Sequence, residues 1–573
     1  MSADADVDAD SGAETNDDRS DAEYHAFWAD DVADDVEARL DGLDGDDEPV
    51  VVKGGVSPSG VPHIGHLNEI LRGYYVAEVL RERGHEVRQV FTSDDRDALR
   101  KLPRTLATGD WELVDLGDVD AGALGRSLGT PYTDVPDPFD DGHDSYGAHF
   151  ADLLDRSAEL VGVPVETASN TELYDRGDFE AVTERILARG DRAREVLAEY
   201  QDGVDGDYVP FMPRCANCGK LTTGVREVDV DAGEVRYECT DLEAGDRTID
   251  GCGHEGVGSL RDGKLPWRFE WPAQWAVLGV DFEPFGKDHA EGSWPSGEDI
   301  SRAVLDVEPP TPMTYEWFTL NGEALSSSAG DVVTADEVLD LLEPEVLRYF
   351  FALEPKTARD FDVERLDQLV DDFDRFERAY YGAVDDKDLT RFAERAYPFV
   401  VGGTRPRSEA APPARDPAER PLRLPYTFAA VLGMVDDRDT RVRMARNEGH
   451  VPADASEREI DRALKRVERA RAWAERTANR YDYRVRLDRP DVTVGEATAA
   501  GLDDLAAFVA DGNDGEAIQS EIYETARRHG VDVGDFFATG YRLFFDREDG
   551  PRLGEFLGEL DRKFVVRRLR REG

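Results

Sequence analysis

The sequence has very little lysine and very little cysteine. Nine lysines stand among 68 basic residues in a chain of 573 residues, whereas aspartate and glutamate total 125. Four cysteines are too few for a disulfide-rich scaffold. No run of about 18 apolar residues occurs, and the acidic first residues lack the basic and apolar regions of a secretory signal. We therefore expect a soluble, cytoplasmic protein without membrane-spanning helices.

Positive charge is scarce overall, since the formal net charge is −57 at pH 7. Self-repulsion of this size is tolerable where salt screens it, because the Debye length is roughly 3 Å at 1 M. Excess acid with little lysine is typical of cytosolic proteins from halophilic organisms. A fully disordered acidic chain is excluded because 9% of residues are aromatic and periodic apolar segments are frequent.

The chain begins with an acidic segment, and we expect residues 1–45 to form a largely disordered extension. Residues 50–52 predict a buried strand, residues 67–77 carry apolar side chains at helical spacing, and residues 87–92 predict a second strand. A strand, a glycine-rich turn, a helix and a strand form a βαβ unit. This unit predicts a parallel, nucleotide-binding sheet.

The strongest motif is SPSGVPHIGH at residues 57–66, directly after the first predicted strand. Backbone N–H groups and a helix N-terminus at such a turn face an anion, and Gly65 allows a ring to approach the backbone closely. His63 and His66 lie three residues apart on the first helical turn, so both can donate to phosphate oxygens. The alternative is an ordinary turn with two chance histidines, although the chain has only ten histidines.

This run resembles the first signature of class I aminoacyl-tRNA synthetases. The segments GGVSPSGVPHIGHLNE, SDDRDALRKLP and FEPFGKDH resemble, within that class, the lysyl-tRNA synthetases of archaea. The resemblance implies an α/β fold with a doubly wound, Rossmann-like catalytic domain over residues 46–355. It also implies a mainly α-helical tRNA- and anticodon-binding region over residues 356–573.

The same resemblance implies a two-step reaction. L-lysine is activated with ATP and Mg²⁺ to lysyl-adenylate, and the lysyl group is then transferred to tRNA(Lys). Two other functions stay open: a class I synthetase for another amino acid, such as glutamate or arginine, and a non-catalytic, tRNA-binding paralogue.

The second signature of the class is a mobile loop with two lysines, and the matching segment EALSSSAG has alanine at both positions. The family's lysines stabilise charge on the transferring phosphates. Here the hydroxyl groups of Ser326, Ser327 and Ser328 could bind phosphate oxygens, with Mg²⁺ supplying charge. An inactive, degenerate loop is the alternative.

The resemblance implies adjoining nucleotide and amino-acid sites. The expected catalytic residues are His63, His66, Ser326, Ser327 and Ser328. The expected ATP-binding residues are Pro58, Ser59, Gly60, His63, Ile64, Gly65, His66, Gly286, Asp288, His289, Ala324, Leu325, Ser326, Ser327, Ser328 and Ala329. The expected amino-acid-binding residues are Gly55, Ser57, Asp94, Trp271 and His289. Trp267 and Glu270 are further candidates, since a substrate ammonium group needs a carboxylate or an aromatic face.

All four cysteines lie within 38 residues, which predicts a structural, tetrahedral Zn²⁺ site in an insertion over residues 201–260. The expected ligands are Cys215, Cys218, Cys239 and Cys252, and His254 could replace Cys252. Loose thiol pairs or a lost metal site are the alternatives. A second cluster could also bind zinc, but an acidic turn is the favoured interpretation in so acidic a chain; it contains Asp137, Asp141, His143 and His149.

The most basic segment is at residues 562–571. It fits an RNA contact, and a solvated helix fits it equally well.

Overall fold

The computed structural model describes most of the chain, namely residues 25–42, 48–139, 142–245, 247–324, 332–403, 415–488, 491–550 and 552–572. Across these ranges, no helix combines the length and the apolar character needed to span a bilayer. The predicted disordered extension falls largely on residues 1–24 and 43–47, which lie outside the described residues.

The chain up to about residue 361 contains both strands and helices. The strands are β1 (Val50–Val56), β2 (Val87–Ser93), β3 (Thr105–Ala107), β4 (Leu113–Asp115), β5 (Glu166–Ser169), β6 (Met212–Pro213), β7 (Val225–Asp229), β8 (Glu234–Glu238), β9 (Leu242–Ala244), β10 (Arg247–Ile249), β11 (Glu255–Ser259), β12 (Gly263–Lys264), β13 (Phe282–Gly286), β14 (Thr311–Tyr315), β15 (Phe318–Leu320), β16 (Glu323–Ala324) and β17 (Arg359–Phe361). The helices of this part are α1 (Trp28–Leu40), α2 (His66–Glu82), α3 (Ala121–Arg126), α4 (Tyr146–Leu160), α5 (Asn170–Arg176), α6 (Glu180–Ala188), α7 (Gly190–Leu197), α8 (Trp267–Leu278), α9 (Ser293–Ile300), α10 (Ala335–Leu341) and α11 (Pro344–Ala352).

The rest of the described chain is helical, as the sequence predicts. Its helices are α12 (Leu366–Tyr380), α13 (Lys387–Gly402), α14 (Tyr426–Gly433), α15 (Arg438–Asn447), α16 (Glu457–Thr477), α17 (Glu496–Ala510), α18 (Gly515–Arg528), α19 (Val533–Phe545), α20 (Leu553–Glu559) and α21 (Arg562–Leu569).

The central sheet is parallel and has five strands in the order β14-β13-β1-β2-β5. The chain builds β1, β2 and β5 in one direction and then returns to add β13 and β14 on the other side of β1. In doubly wound sheets, ligands bind in the crevice at the carboxyl ends of the strands where the order reverses. The predicted α/β class is confirmed, and the crevice is at the ends of β1 and β13.

Helix α2 follows β1 directly and packs against the sheet. Its residues Leu67, Ile70 and Leu71 are buried. Gly73 allows the close approach, because a Cβ at this position would lie 3.2 Å from Val52 Cγ1. The first turn of α2 is therefore held rigidly at the end of β1.

Helix α1 belongs to the core, so the expected disorder does not hold for residues 25–42. Phe27, Ala33 and Val36 are buried, and the Trp28 indole N–H donates to the Ala352 carbonyl at 2.8 Å. The Asp30 carboxylate pairs with Arg395 on α13 at 2.6 Å. Apolar residues recur only weakly at helical spacing in this segment of the sequence, because acidic residues dominate it.

The cysteine-bearing insertion consists of small antiparallel sheets. β7, β8 and β11 form a three-stranded sheet, while β9 pairs with β10 and β6 with β12. This region is built from hairpins rather than from βαβ units, so it is distinct from the central sheet.

The basic C-terminal segment divides between packing and solvent. Arg568 is buried and donates to the carbonyls of Leu543 and Leu487, and Arg571 pairs with Asp503 at 2.7 Å. These two arginines stabilise the packing of α21. Arg562, Lys563, Arg567 and Arg570 stay exposed.

Candidate functional site

The turn between β1 and α2 holds two neutral histidines face to face. The rings of His63 and His66 have centroids 4.1 Å apart and planes inclined by 19°. Burial lowers the pKa of His63 to about 4, and burial together with His63 lowers the pKa of His66. The Nδ1 of His63 accepts the Gly65 N–H at 3.0 Å, and the Nδ1 of His66 accepts the His63 N–H at 3.2 Å. Each ring therefore carries its proton on Nε2, as a donor.

A cavity of about 450 Å³ opens at the ends of β1 and β13. It brings together residues from both motifs and from the segment after β14. It is lined by Gly55, Val56, His63, Gly65, His66, Asn68, Glu69, Phe91, Gly286, Asp288, His289, Tyr315, Trp317, Phe318 and Thr319. Seven of the residues expected from the sequence therefore meet in one place: Gly55, His63, Gly65, His66, Gly286, Asp288 and His289.

Other expected nucleotide-site residues lie elsewhere. The side chain of Ile64 is fully buried, and its N–H donates to the Val333 carbonyl at 3.1 Å. Pro58 is buried as well, and the Ser59 carbonyl accepts the Tyr146 hydroxyl at 2.8 Å. Ala324 ends β16, and residues 325–329 of the expected second signature lie outside the described residues.

A buried ion pair lies behind the cavity wall. Lys53 Nζ on β1 is 2.6 Å from Glu283 Oε1 on β13, and both side chains are at most 3% exposed. The Glu283 carboxylate also accepts the indole N–H groups of Trp271 at 3.0 Å and Trp275 at 2.6 Å. The expected amino-acid-site residue Trp271 is buried and contacts the ring of His289, with centroids 5.2 Å apart. Trp271 therefore supports the wall behind His289.

Glu69, which the sequence analysis did not single out, connects three elements at the cavity. Its Oε1 accepts the Gly55 N–H at 2.7 Å, and its Oε2 accepts the Tyr315 hydroxyl at 3.4 Å. Burial, together with the charge of Glu283, raises the pKa of Glu69 to about 8. Its position one helical turn after His66 was the available signal in the sequence.

A second cavity, of about 370 Å³, lies beside the segment that follows β1, and its lining includes Ser59, Asp97, Lys264 and Trp267. Lys264 is buried and ion-pairs with Asp97 and Glu270. Asp97 in turn accepts the hydroxyl of the expected residue Ser57 at 2.9 Å. Burial alone would lower the pKa of Lys264, but its two carboxylate partners outweigh burial and raise it.

Asp94 and Glu270 lie deeper, behind this second cavity. Asp94 accepts side-chain N–H groups of Asn170 at 2.9 Å and Gln274 at 2.8 Å. Burial, with neighbouring carboxylates, raises the pKa of Asp94 to about 6 and that of Glu270 to about 7. Sequence reasoning missed Asp97 and Lys264, although the rarity of lysine in this chain was a signal for Lys264.

The four cysteines converge in the insertion. Their sulfur atoms all lie within 4.8 Å of one another; Cys215 Sγ is 3.6 Å from Cys252 Sγ, and Cys218 Sγ is 3.7 Å from Cys239 Sγ. A tetrahedron with Zn–S bonds of about 2.3 Å has S···S edges of about 3.8 Å. The donor set and its spacing therefore fit a closed zinc site.

The second predicted cluster also converges. Donor atoms of Asp137, His143 and His149 lie within 4.8 Å of one another, while Asp141 lies outside the described residues. The His149 Nε2 contacts the Ala107 carbonyl at 2.8 Å, and its Nδ1 is 3.6 Å from Asp137 Oδ1. Metal-binding histidines commonly donate their other ring N–H to a backbone carbonyl. This geometry suits a metal ligand at Nδ1.

The raised pKa of Glu69 predicts a stability that depends on pH. The folded protein binds a proton there between the ordinary pKa of 4.5 and the folded pKa of about 8. Stability therefore falls as pH rises through this range, by up to about 1.4 kcal/mol per pH unit. The free energy of unfolding of Glu69→Gln, relative to that of the wild type, should therefore increase from pH 5 to pH 8, as measured by chemical denaturation. Glu172→Gln, an exposed control, should show no such gain, and parallel profiles for Glu69→Gln and wild type would contradict the prediction.

Comparison with known proteins agrees with this arrangement. A family model described as tRNA synthetases class I (K) matches residues 26–400. A protein of Haloarcula marismortui named lysine–tRNA ligase is 65% identical over 95% of this chain and 97% of its own length. Proteins of the same name are 63% identical in Natronomonas pharaonis, over 96% of this chain and 98% of that one, and 30% identical in Pyrococcus horikoshii, over 95% and 99%. The resemblance noted in the motifs is thereby confirmed, and the chain belongs to the class I (K) family of tRNA synthetases.

Proposed function

We propose that this protein is a lysine–tRNA ligase that activates L-lysine with ATP and transfers the lysyl group to tRNA(Lys). The observation that carries the proposal is the cavity where the His63–His66 turn meets the loop after β13. Nearly the whole chain matches proteins named lysine–tRNA ligase. Those relatives disfavour glutamate or arginine as the amino acid.

In the first step, a carboxylate oxygen of lysine attacks the α-phosphorus of ATP, which binds as its magnesium complex. The P–O bond to the β-phosphate breaks, and pyrophosphate leaves. The nucleophile belongs to the substrate, so the protein's part is positioning and stabilisation of charge. His63 and His66 would each donate an Nε2–H to phosphate oxygens where charge develops.

The adenosine would lie between the first turn of α2 and the loop after β13. Gly65 leaves its backbone open to a base, and the half-exposed Asp288 carboxylate suits ribose hydroxyl groups. Ser326, Ser327 and Ser328 are proposed to bind phosphate oxygens, on the strength of the sequence motif alone.

The amino-acid site would lie at the carboxyl end of β1, beside Gly55, Ser57 and His289. Its surroundings favour a cation, because four buried or partly buried carboxyl groups accompany only two lysines, Lys53 and Lys264, while Glu69 keeps its proton at neutral pH. The four are Asp94, Asp97, Glu270 and Glu283. Excess carboxylate in a low-dielectric site stabilises a substrate ammonium group.

In the second step, a terminal ribose hydroxyl of tRNA attacks the lysyl carbonyl, and AMP leaves. We assign residues 46–355 to catalysis and residues 356–573 to tRNA and anticodon binding. The helical architecture after residue 361 supports this division.

ATP–pyrophosphate exchange tests the function, measured in molar KCl with each amino acid, with and without tRNA. Exchange should occur with lysine, and His63→Ala should lower it by about 10²-fold, because a donor to the transition state is lost. His529→Ala, on the distant helical region, is the matched control and should retain exchange.

Three results would change the proposal. Exchange with a different amino acid would move the specificity, and absence of exchange in folded protein with bound tRNA would favour a non-catalytic paralogue. Equal loss of activity and melting temperature in His63→Ala would make His63 a structural residue.

We also propose that the two ligand clusters each hold one Zn²⁺. Cys215, Cys218, Cys239 and Cys252 would form a closed structural site, and Asp137, His143 and His149 would form the second. Metal analysis of the purified protein should give about two zinc ions per chain, as the two ligand sets imply. Cys218→Ser and His149→Phe should each remove one; a wild type with fewer than two, or variants that keep both, would contradict the assignment.

A further inference from the structure

A third cavity, remote in the chain from the motifs, lies in the helical region. It has a volume of about 370 Å³ and lies between α11, α13, α16 and residues 421–423. Five basic side chains line it: Arg423, Arg462, Lys465, Arg466 and Arg469. Such a concentration is notable in a chain with net charge −57.

The arginines on the floor of this cavity are paired with carboxylates. Arg466 is 2.7 Å from carboxylate oxygens of both Glu343 and Asp374. Arg423 pairs with Glu377 at 3.0 Å and with Glu345 at 3.1 Å. The two buried arginines therefore fix the shape of the cavity without giving it net positive charge.

The rim differs, because its cations have no acidic partner in the described part of the chain. Arg462 and Lys465 are exposed, and neither lies within 4.0 Å of a carboxylate oxygen of another described residue. Arg469 uses its Nε to donate to the Leu339 carbonyl at 3.2 Å and makes no ion pair with the residues that the structure describes.

Acidic neighbours on the same helix are already engaged elsewhere. Asp461 pairs with Arg438 at 2.6 Å and Glu468 with Arg441 at 2.5 Å, both across to α15. Arg476, further along α16, pairs with Glu337 at 3.1 Å. Among the described residues of α16, Arg458, Arg462, Lys465 and Arg469 make no ion pair, and the last three lie together at the rim of the cavity.

The rim cations have the spacing of a continuous row. Positions 462, 465 and 469 lie at i, i+3 and i+7, on one face of α16, and span about 10 Å at a rise of 1.5 Å per residue. A row of this length exceeds a single phosphate group and suits successive phosphates of a nucleic-acid strand. Arg469 also contacts α10, which follows the predicted second-signature segment in the chain.

We propose that Arg462, Lys465 and Arg469 form a binding site for the phosphate backbone of tRNA, independent of base sequence. The inference rests on the proposed function for its ligand. Backbone contacts of this kind fix the register of a nucleic acid and make its affinity depend on salt.

The test is tRNA binding to the full chain at several KCl concentrations, chosen so that all proteins remain folded by circular dichroism. The double variant Arg462→Ala/Lys465→Ala should bind tRNA more weakly. The slope of log affinity against log salt should become shallower by roughly 1.4 to 1.8, the value for two phosphate contacts. The apparent KM for ATP and for lysine should not change.

The control removes two exposed arginines from other helices, Arg176→Ala/Arg192→Ala. It changes the net charge equally and should leave the slope as in wild type. If the alanine pair lowers the melting temperature, the glutamine pair Arg462→Gln/Lys465→Gln replaces it, because the side-chain bulk is then retained.

The outcomes separate this inference from the proposed function. A wild-type slope in the double variant, an equal change in the control, or a wild type that does not bind tRNA would overturn the inference. If the double variant alters only the inhibition of tRNA binding by inorganic phosphate, the site binds a small anion, and the inference is overturned as well. If the slope changes as expected but the wild type fails to charge lysine, the RNA site stands and the proposed function fails.

Discussion

The pairing of Lys53 with Glu283 joins the two strands on which the whole site depends. β1 and β13 share only one backbone register pair, Val52 with Phe282, and the ion pair links the next residue of each strand. Burying two charges costs desolvation energy, which is offset here by close geometry and by indole N–H groups from Trp271 and Trp275. The carboxyl ends of both strands are thereby held together, and the two motifs meet there.

Because lysine is scarce in this chain, the positions of its few lysines are informative. Two of nine lysines are buried in the core of the site, where each neutralises carboxylates that burial would otherwise protonate. Many arginines, in contrast, pair with acidic side chains at the surface. The two proposed sites lie at the carboxyl-rich interior around β1 and at the row of basic side chains along the rim on α16.

Local patterns predicted much of the site. The spacing of His63 and His66, the glycine-rich turn and the βαβ unit placed the first motif correctly, because each depends on residues close in the chain. Glu69, Asp97 and Glu283 lie within the quoted motif segments, but the sequence did not show their roles or that of Lys264, because these arise from contacts between strands and helices far apart in the chain. The expectation of disorder was also wrong for α1, whose short apolar face is buried by distant parts of the chain, among them α2, α13 and β14.

In the proposed reaction, lysine and ATP meet in the cavity between the α2 turn and the loop after β13. The most direct measurement is a crystal structure with a non-hydrolysable analogue of lysyl-adenylate. We expect the adenine against Gly65, the phosphate mimic within hydrogen-bond distance of the Nε2 atoms of His63 and His66, and the lysyl chain beside Gly55. An analogue bound away from this cavity, or one that leaves both imidazoles without contact, would contradict it.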